Sequence, residues 1–217
     1  MNIGLDMMGG DFSPLEAVKG VQLYLREAGP ANLWLIGDEQ QIASLLREHD
    51  IASDAVRIVH AAQVIGMHEH PTKALKEKQQ SSIAVGFGLL ASGKMDAFIS
   101  AGNTGAMLVG ALYSLKPMEG VHRPTISTVL PKENGRTGVL LDVGLNADCK
   151  PENLNQFAVL GSLYARYILG VDAPRVGLLN IGEEEGKGNI LAQAAYPLLA
   201  ANPQIRFIGN IEGRDLL

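Results

Sequence analysis

The segment Ser-Ala-Gly-Asn-Thr-Gly-Ala at positions 100–106 has the composition of a loop that binds an anion. It follows an apolar, strand-like run and precedes a helix-like run that begins near Thr104. Without a Cβ at Gly102 or Gly105 the backbone can approach a ligand closely, and the start of a helix offers unpaired N–H groups at the positive end of its dipole. Asn103 and Thr104 add side-chain donors. Either residue also suits an ordinary helix N-cap, so both interpretations are open.

A second glycine-rich loop, Gly-Glu-Glu-Glu-Gly-Lys-Gly at 182–188, also lies between a strand-like run and a helix-like run. It is not a nucleotide-binding P-loop, because that motif needs four residues between its first glycine and the Gly-Lys pair, followed by Ser or Thr. Here three residues intervene and Gly188 follows. Lys187 is still suited to place a positive charge against a phosphate. The glutamates favour a solvent-exposed loop instead, and they would repel an anion unless one turns away or orients Lys187.

The loop after the first strand-like run is acidic and rich in glycine, with Asp6, Gly10 and Asp11. Carboxylates are hard oxygen ligands, so a magnesium site is one interpretation of this loop. Helix capping by Asp11 or Ser13 ahead of Pro14 is the simpler one.

Another polar loop precedes a proline-initiated helix and holds Asp142, Asn146, Asp148 and Lys150. Caps and turns explain some of these residues, and a charge pair in a cleft that involves Lys150 is the functional alternative. The Gly-x-Ser-x-Gly motif is absent and no nucleophile–histidine arrangement is recognisable from spacing, so no covalent enzyme intermediate is predicted.

Glycines and prolines also mark helices. Gly86 and Gly88 look like part of a dinucleotide fingerprint, but they lie inside a helix-like run, so close helix packing explains them better. Pro14 and Pro151 suit the first turn of a helix, and Gly170 suits a helix end.

Composition restricts the class of protein. The net charge is −5, from 18 basic and 23 acidic residues, which argues against a nucleic-acid-binding protein. The single cysteine, Cys149, fits a reducing compartment and predicts a cytoplasmic protein. We expect no secretory signal, because an acidic residue follows the N-terminus before any long apolar run, and no membrane span.

Short apolar runs alternate with helix-like runs, which is the pattern of βαβ units and a mainly parallel sheet. The strand-like runs lie at 2–5, 33–36, 56–60, 97–100, 126–130, 139–142, 176–180 and 205–208. The helix-like runs lie at 14–28, 39–49, 81–92, 104–115, 152–169 and 189–201. No element is predicted at 66–78, where two histidines and Pro71 interrupt any period. We predict a single α/β domain over 1–217, with ligands bound beyond the carboxyl ends of the strands.

Seven motifs occur in a characteristic order along the chain. They are LDMMGGD at 5–11, KQQSS at 78–82, SAGNTGA at 100–106, RP at 123–124, LDVGLNADCKPE at 141–152, GLLNIGEEEGKGN at 177–189 and FIGNIEGRD at 207–215. With these motifs the chain resembles the bacterial phosphate acyltransferases, which make acyl phosphate from acyl-acyl carrier protein and inorganic phosphate for phospholipid synthesis. Phe12 and Gln80 depart from the family pattern, where many relatives have His and an acid, so neither receives a catalytic role. The family pattern continues beyond Asp215, which implies a chain truncated at its C-terminus.

The resemblance implies a Rossmann-like three-layer αβα fold similar to phosphotransacetylases and to isocitrate and isopropylmalate dehydrogenases. It also implies a homodimer, cytoplasmic or membrane-peripheral, whose partners are acyl carrier protein, phosphate and a membrane or membrane acyltransferase, with no nucleic acid. No cofactor and no metal are expected. A phosphotransacetylase-like enzyme that uses short acyl-coenzyme A, a nucleotide-dependent module and an inactive fragment that keeps only binding contacts are the alternatives.

Phosphate already carries nucleophilic oxyanions, and a thiol with a pKa near about 8.5 leaves as a thiolate, so positioning and charge stabilisation are the main tasks of such an enzyme. The predicted catalytic residues are Lys187, Asn180 and Asp142. The predicted phosphate-binding residues are Ser100, Asn103, Thr104, Gly105, Arg123 and Lys150. Candidates in the first loop are Asp6, Gly10 and Asp11.

Overall fold

The computed structural model describes residues 1–27, 29–146 and 148–216. Ala28, the predicted end of the first helix, and Ala147 of the 141–152 motif lie outside the described residues. The chain divides into two compact units, Met1–Lys116 (unit 1) and Pro117–Leu217 (unit 2). The single domain expected over 1–217 stays a prediction.

Unit 1 is built around a four-stranded parallel sheet with the strand order β3-β2-β1-β4. Its strands are β1 Asn2–Asp6, β2 Asn32–Gly37, β3 Arg57–His60 and β4 Ala97–Ile99. Its helices are α1 Leu15–Arg26, α2 Glu39–Glu48, α3 Pro71–Glu77, α4 Ser82–Ala91 and α5 Thr104–Ser114. The chain moves from β1 to one side through β2 and β3, then crosses to β4 on the other side of β1. The carboxyl ends of β1 and β4 therefore flank a topological switch point, where open α/β sheets bind ligands.

Strand β2 shows how helices cover both faces of this sheet. Successive side chains of a strand point to opposite faces. Leu33 and Leu35 pack in one apolar cluster with residues of α1 and α2, whereas Trp34 and Ile36 pack in another with residues of α4. Burial on both sides explains why this strand is a continuous apolar run. Unit 1 is thus a helix–sheet–helix sandwich, which confirms the predicted α/β class with a mainly parallel sheet.

Two glycines of α4 differ in whether packing requires a glycine: there is no room for a Cβ at Gly86, whereas there is room for one at Gly88. A Cβ at Gly86 would lie 2.3 Å from the Phe98 ring, whereas nothing lies within 4 Å of a Cβ at the exposed Gly88. We expect Gly86→Ala to lower the free energy of unfolding by about 2 kcal/mol through overpacking. Gly88→Ala is its matched control and should raise the same quantity by about 0.5–1 kcal/mol. Urea unfolding followed by circular dichroism measures both; equal effects would show that Phe98 does not restrict Gly86.

Unit 2 combines an antiparallel pair of strands, a parallel pair and two long helices. Its elements are β5 Ser127–Pro131, β6 Thr137–Leu141, α6 Pro151–Tyr167, β7 Arg175–Leu179, α7 Ile190–Ala200, β8 Arg206–Ile211 and a 3₁₀ turn at Gly213–Asp215. Strands β5 and β6 pair antiparallel, and β7 pairs parallel with β8. Helix α6 packs against α7 and β6. The carboxyl ends of β7 and β8 lie side by side, so the loops after them meet.

The structure differs from the sequence prediction in three local features. Helix α3 occupies the segment at 66–78 where no element was expected, with Pro71 in its first turn. Helix α1 has Pro14 itself as its N-cap and no side-chain cap, so capping by Asp11 or Ser13 is wrong; Ser13 Oγ instead donates to the Met8 carbonyl at 3.0 Å. Strands β5 and β6 form a hairpin rather than successive parallel strands.

Among the described residues, no helix combines the length and the apolar character required to cross a membrane.

Candidate functional site

A buried carboxylate joins the two loops at the switch point of unit 1. Asp6 is 5% exposed, and its Oδ2 accepts a hydrogen bond from Ser100 Oγ at 2.6 Å. Its Oδ1 accepts from the Met8 N–H at 3.0 Å. Ser100 Oγ in turn accepts from the Gly102 N–H at 2.9 Å. The first-loop candidate Asp6 and the phosphate candidate Ser100 are therefore brought together, and both hold the loops in place.

Close backbone contact explains the glycines of these loops. A Cβ at Gly9 would lie 2.6 Å from the Gly102 nitrogen and 2.7 Å from Asp6 Oδ2. Gly10 has a φ of +99°, which favours glycine, and the Asp11 side chain is exposed beside it. A groove of about 430 Å³ opens here and is lined by residues of both loops and of α1. Gly10 and Asp11 thus border a concave surface at the switch point.

Asn103 is an N-cap and a clamp for a neighbouring loop. Its Oδ1 accepts from the Ala106 N–H at 3.0 Å, and its Nδ2 lies 3.1–3.3 Å from the carbonyl oxygens of Gly66, Met67 and Glu69. The side chain is 5% exposed, so its polar atoms are already occupied by the protein. Asn103 is therefore the N-cap of α5, and its assignment to phosphate binding stays a prediction.

The residues after Asn103 have two different roles. A Cβ at Gly105 would lie 2.4 Å from Pro71 Cγ, so this glycine allows α3 and α5 to pack closely. Thr104 is exposed at the start of α5. Among the described residues, the Thr104 and Gly105 N–H groups have no backbone or side-chain acceptor. The part of this segment that remains open to an anion is therefore the backbone at the helix start together with the Thr104 hydroxyl.

The loop held by Asn103 carries an ion pair that makes stability depend on pH. Glu69 accepts hydrogen bonds from Lys78 Nζ and from the Gly66 N–H at 2.6 Å. The Lys78 hydrogen bond chiefly, and the Gly66 N–H next, hold the pKa of the Glu69 carboxyl below its usual range. A lowered folded-state pKa stabilises the fold above the unfolded-state pKa, and this contribution is lost as the pH falls through the folded-state value.

We therefore expect Glu69→Gln to be less stable than the wild type near neutral pH and to lose less stability on acidification. The two unfolding free energies should converge between about pH 6 and about pH 3. Chemical denaturation at several pH values measures this, with Glu77→Gln on the exposed end of α3 as the control. A constant difference across the range would contradict the role of Glu69.

In unit 2, amide side chains hold the loop that carries Lys187. Asn180 Nδ2 donates to the Lys187 carbonyl at 3.0 Å and to Asn210 Oδ1 at 3.1 Å. Asn210 Nδ2 donates to the Glu184 carbonyl at 2.8 Å. Gln193 Nε2 donates to the carbonyls of Gly186 and Gly188 at 2.9 and 3.1 Å. The predicted pair Asn180 and Lys187 is thus in contact, but through the backbone of Lys187.

The three glutamates of this loop have different surroundings. Glu183 Oε1 pairs with Arg214 at 2.9 Å, which turns this charge toward the end of β8. Glu184 Oε2 lies 3.8 Å from Lys187 Nζ, and Glu185 is exposed. Glu183 is therefore paired with Arg214, which also pairs with Glu212 and Asp215, while Glu184 is the carboxylate that faces Lys187. The Lys187 side chain is 48% exposed, so a ligand can reach it.

Asp142 organises the loop after β6. Its Oδ1 accepts from the Leu145 N–H and its Oδ2 from the Asn146 N–H, both at 2.9 Å. Asn146 Oδ1 accepts from Arg123 Nε at 2.6 Å. The predicted residues Asp142 and Arg123 are therefore joined through one side chain, Asn146. Asp142 and Asn146 line a groove of about 1280 Å³ in unit 2.

Lys150 does not form the charge pair that was one of the two interpretations of its loop. Its side chain is exposed, and within the described ranges it has no ion pair; only its backbone N–H is bound, by Asn153 Oδ1 at 2.8 Å. The neighbouring Cys149 is half-buried, and burial raises the pKa of its thiol, so it is a weak nucleophile at neutral pH. No group of three His, Cys, Asp or Glu residues with the geometry of a metal site occurs in the part of the chain that the structure describes.

Sequence reasoning missed Asn210, Arg214 and Gln193 as residues that organise the site. Asn210 had a signal, because an amide inside the apolar run of β8 needs a buried partner. Arg214 and Gln193 had none, since exposed polar residues are ordinary at a strand end and on a helix.

The fold defines the class of the protein. A phosphotransacetylase from Streptococcus pyogenes superposes with a TM-score of 0.70 at 20% identity and covers 98% of this chain and 68% of that one. A phosphotransacetylase from Staphylococcus aureus gives 0.67 at 17% identity and covers 97% and 68%. At these identities the likeness shows a shared α/β fold.

The sequence is more specific. Residues 1–217 match the family described as "Fatty acid synthesis protein", and the chain belongs to this family. It is 47% identical over 216 residues to the phosphate acyltransferase of Dictyoglomus turgidum, covering all of this chain and 64% of that protein. It is 50% identical to that of Pelotomaculum thermopropionicum and 47% identical to that of Aquifex aeolicus, covering 62% and 63% of them. The chain spans a little under two thirds of the length of these relatives.

Proposed function

We propose that this protein is a phosphate acyltransferase that forms acyl phosphate from an acyl-acyl carrier protein and inorganic phosphate. The observation that carries the proposal is the likeness of the whole chain to relatives with this name, at 47% identity over 216 residues. The fold shared with phosphotransacetylases supports it, because transfer of an acetyl group to or from phosphate is the reaction that their name describes.

The described residues support binding of phosphate more than covalent catalysis. Phosphate supplies its own nucleophilic oxygen, and a thiol with a pKa of about 8.5 leaves as the thiolate without strong general-acid catalysis. The attacking oxygen forms a bond to the thioester carbonyl carbon, and the carbon–sulfur bond breaks as the tetrahedral intermediate collapses. The enzyme must hold the anion, and it must stabilise the negative charge on the carbonyl oxygen of that intermediate.

Each unit offers groups for these tasks. In unit 1 the Thr104 and Gly105 N–H groups and the Thr104 hydroxyl are oriented at a helix start. In unit 2 the half-exposed side chain of Lys187 supplies a positive charge, and Arg123 is held by Asn146. We propose each of these two sets, taken by itself, as a candidate for binding phosphate. Asn180 and Asp142 hold loops, so they act through the backbone that they bind.

The partners and setting follow from the same proposal. We infer that acyl carrier protein is the acyl donor, that two copies of the chain form a homodimer, and that the protein works in the cytoplasm in peripheral contact with the membrane. Sedimentation of the purified protein tests the dimer, and co-flotation with lipid vesicles tests the membrane contact.

The direct experiment traps the product. The purified protein is incubated with an acyl-acyl carrier protein and phosphate, and acyl phosphate is captured with hydroxylamine as the hydroxamate and identified by mass spectrometry. We expect formation that depends on phosphate and exceeds that with short acyl-coenzyme A. Preference for short acyl-coenzyme A would support a phosphotransacetylase-like enzyme instead. The absence of product with both donors would overturn the assignment for this chain.

A further inference from the structure

We propose that Asn210 is a positioning residue for Lys187. This inference rests on the proposed function, in which the positive charge of Lys187 binds phosphate. Asn210 lies on β8 and is 6% exposed, although its side chain is polar. Its Nδ2 donates to the Glu184 carbonyl at 2.8 Å, and its Oδ1 accepts from Asn180 Nδ2 at 3.1 Å. A buried amide with both ends bound fixes the groups to which it is bonded.

The two asparagines hold both ends of the turn that carries Lys187. Asn210 binds the carbonyl of Glu184, and Asn180 binds the carbonyl of Lys187 at 3.0 Å. The Lys187 N–H closes the turn on the Glu184 carbonyl at 3.0 Å. The backbone on either side of the Lys187 side chain is therefore fixed by a chain of hydrogen bonds that ends in the buried Asn210.

The surroundings of the turn show why such support is needed. Gly186 and Gly188 flank Lys187, and Gly188 has a φ of +91°, so the backbone has little stiffness of its own. A Cβ at Gly188 would lie 2.4 Å from Asn180 Oδ1, which shows how closely the turn packs on this amide. Gln193 supplies a second, exposed attachment through the Gly186 and Gly188 carbonyls.

Asn210 acts through Lys187 and not on the reacting atoms. Its amide does not titrate, and its donor and acceptor are both occupied by the protein. Among the residues that the structure describes, the one ion pair of Lys187 Nζ is the long contact with Glu184 at 3.8 Å, so the location of its ammonium depends on where the turn places its Cα. Loss of the Asn210 Nδ2 donor should therefore displace the positive charge of Lys187 without removing it.

Asn210→Asp is the test variant, because aspartate keeps the acceptor for Asn180 and loses the donor to Glu184. Asn202→Asp is the matched control: Asn202 Nδ2 donates to Asn155 Oδ1 at 2.8 Å in the same unit, away from the turn. We expect Asn210→Asp to raise the KM for phosphate about tenfold, with kcat and the KM for the acyl donor within about twofold of the wild type. Asn202→Asp should change none of these values.

A double-mutant cycle identifies the route of the effect. If Asn210 acts through Lys187, Asn210→Asp should change the KM for phosphate by less than about twofold when Lys187 is already alanine. An effect of the same size in both backgrounds would overturn the proposal, as would an unchanged KM in the single variant. Gln193→Ala, at an exposed position, should raise the KM for phosphate by a smaller factor. It is the substitute test of the support for the turn if Asn210→Asp does not fold.

Two measurements do not depend on turnover. Hydrogen exchange of residues 182–188 should be faster in Asn210→Asp and unchanged in Asn202→Asp. Protection of Lys187 by phosphate against acetylation, followed by mass spectrometry, should be present in the wild type and weakened in Asn210→Asp. If the wild type makes no acyl phosphate, the proposed function fails and these two measurements decide the role of Asn210. Unchanged exchange together with unchanged protection would overturn it.

Discussion

Asn103→Ala is expected to lower the free energy of unfolding by about 3 kcal/mol, which is a large change for the loss of one polar side chain. The loss of the cap on the Ala106 N–H accounts for about 1 kcal/mol of this. The remaining loss of unfolding free energy arises because the Gly66, Met67 and Glu69 carbonyls lose the Asn103 Nδ2 donor that they share. Asn103 is only 5% exposed, so water does not readily replace this donor. Equilibrium unfolding in urea measures the difference.

Two variants separate the cap from the clamp. Asn103→Ser keeps an oxygen for the cap and loses the donor, so it should recover about 1 kcal/mol of the loss. Asp38→Ala removes the cap of α2, whose side chain accepts from the Gln41 N–H at 2.8 Å and makes no other side-chain hydrogen bond within the described ranges, and should cost about 1 kcal/mol. If Asn103→Ala costs no more than Asp38→Ala, the clamp on the 66–69 loop contributes nothing to stability.

The elements that sequence predicted correctly are those with a strong local signal. Strand β2 is a continuous apolar run bounded by polar residues, and its prediction at 33–36 agrees with Asn32–Gly37. Helix α6 has Pro151 in its first turn, as predicted, and ends at Tyr167 rather than at 169. Fraying and capping blur helix ends by a residue or two, so differences of this size carry no structural meaning.

The elements that the sequence did not predict have residue patterns that are compatible with two different structures. Pro71 interrupts the periodic pattern of the sequence, yet a proline in the first turn of a helix loses no hydrogen bond, and α3 begins at this residue. The hairpin of β5 and β6 has Asn134 and Gly135 in its turn, and Gly135 has a φ of +74°. Asn-Gly is a strong hairpin signal, but the expectation of a parallel sheet obscured it.

The site shows a further limit of sequence reasoning. Motif and spacing selected Asn180 and Lys187, which are in contact, but could not show that the contact is made to the Lys187 carbonyl. Asn210 is 30 residues from Asn180 along the chain, and the two meet only because β7 and β8 are neighbours. Roles that arise from a tertiary hydrogen bond between loops have no signature at a fixed spacing, so they require coordinates.

Lys187→Ala is expected to lower kcat/KM for phosphate by about a hundredfold, while the KM for the acyl donor changes little. The reason is that a charge-assisted hydrogen bond to an anion contributes up to about 3 kcal/mol, and within the described part of unit 2 no other cation lies in the 182–188 loop. Lys132→Ala, at a half-buried position directly after β5, is the control and should behave as the wild type. Initial rates at varied phosphate concentration measure the effect.

The carboxylate beside Lys187 gives a prediction of the opposite sign for the same site. Glu184→Gln removes a negative charge 3.8 Å from Lys187 Nζ and leaves the backbone carbonyl that Asn210 binds. Because the pair is exposed, the gain should be small, about a twofold lower KM for phosphate, and it should shrink at high salt. If Lys187→Ala keeps the normal dependence on phosphate and Glu184→Gln has no effect, the anion binds elsewhere, and the helix start at Thr104 becomes its site.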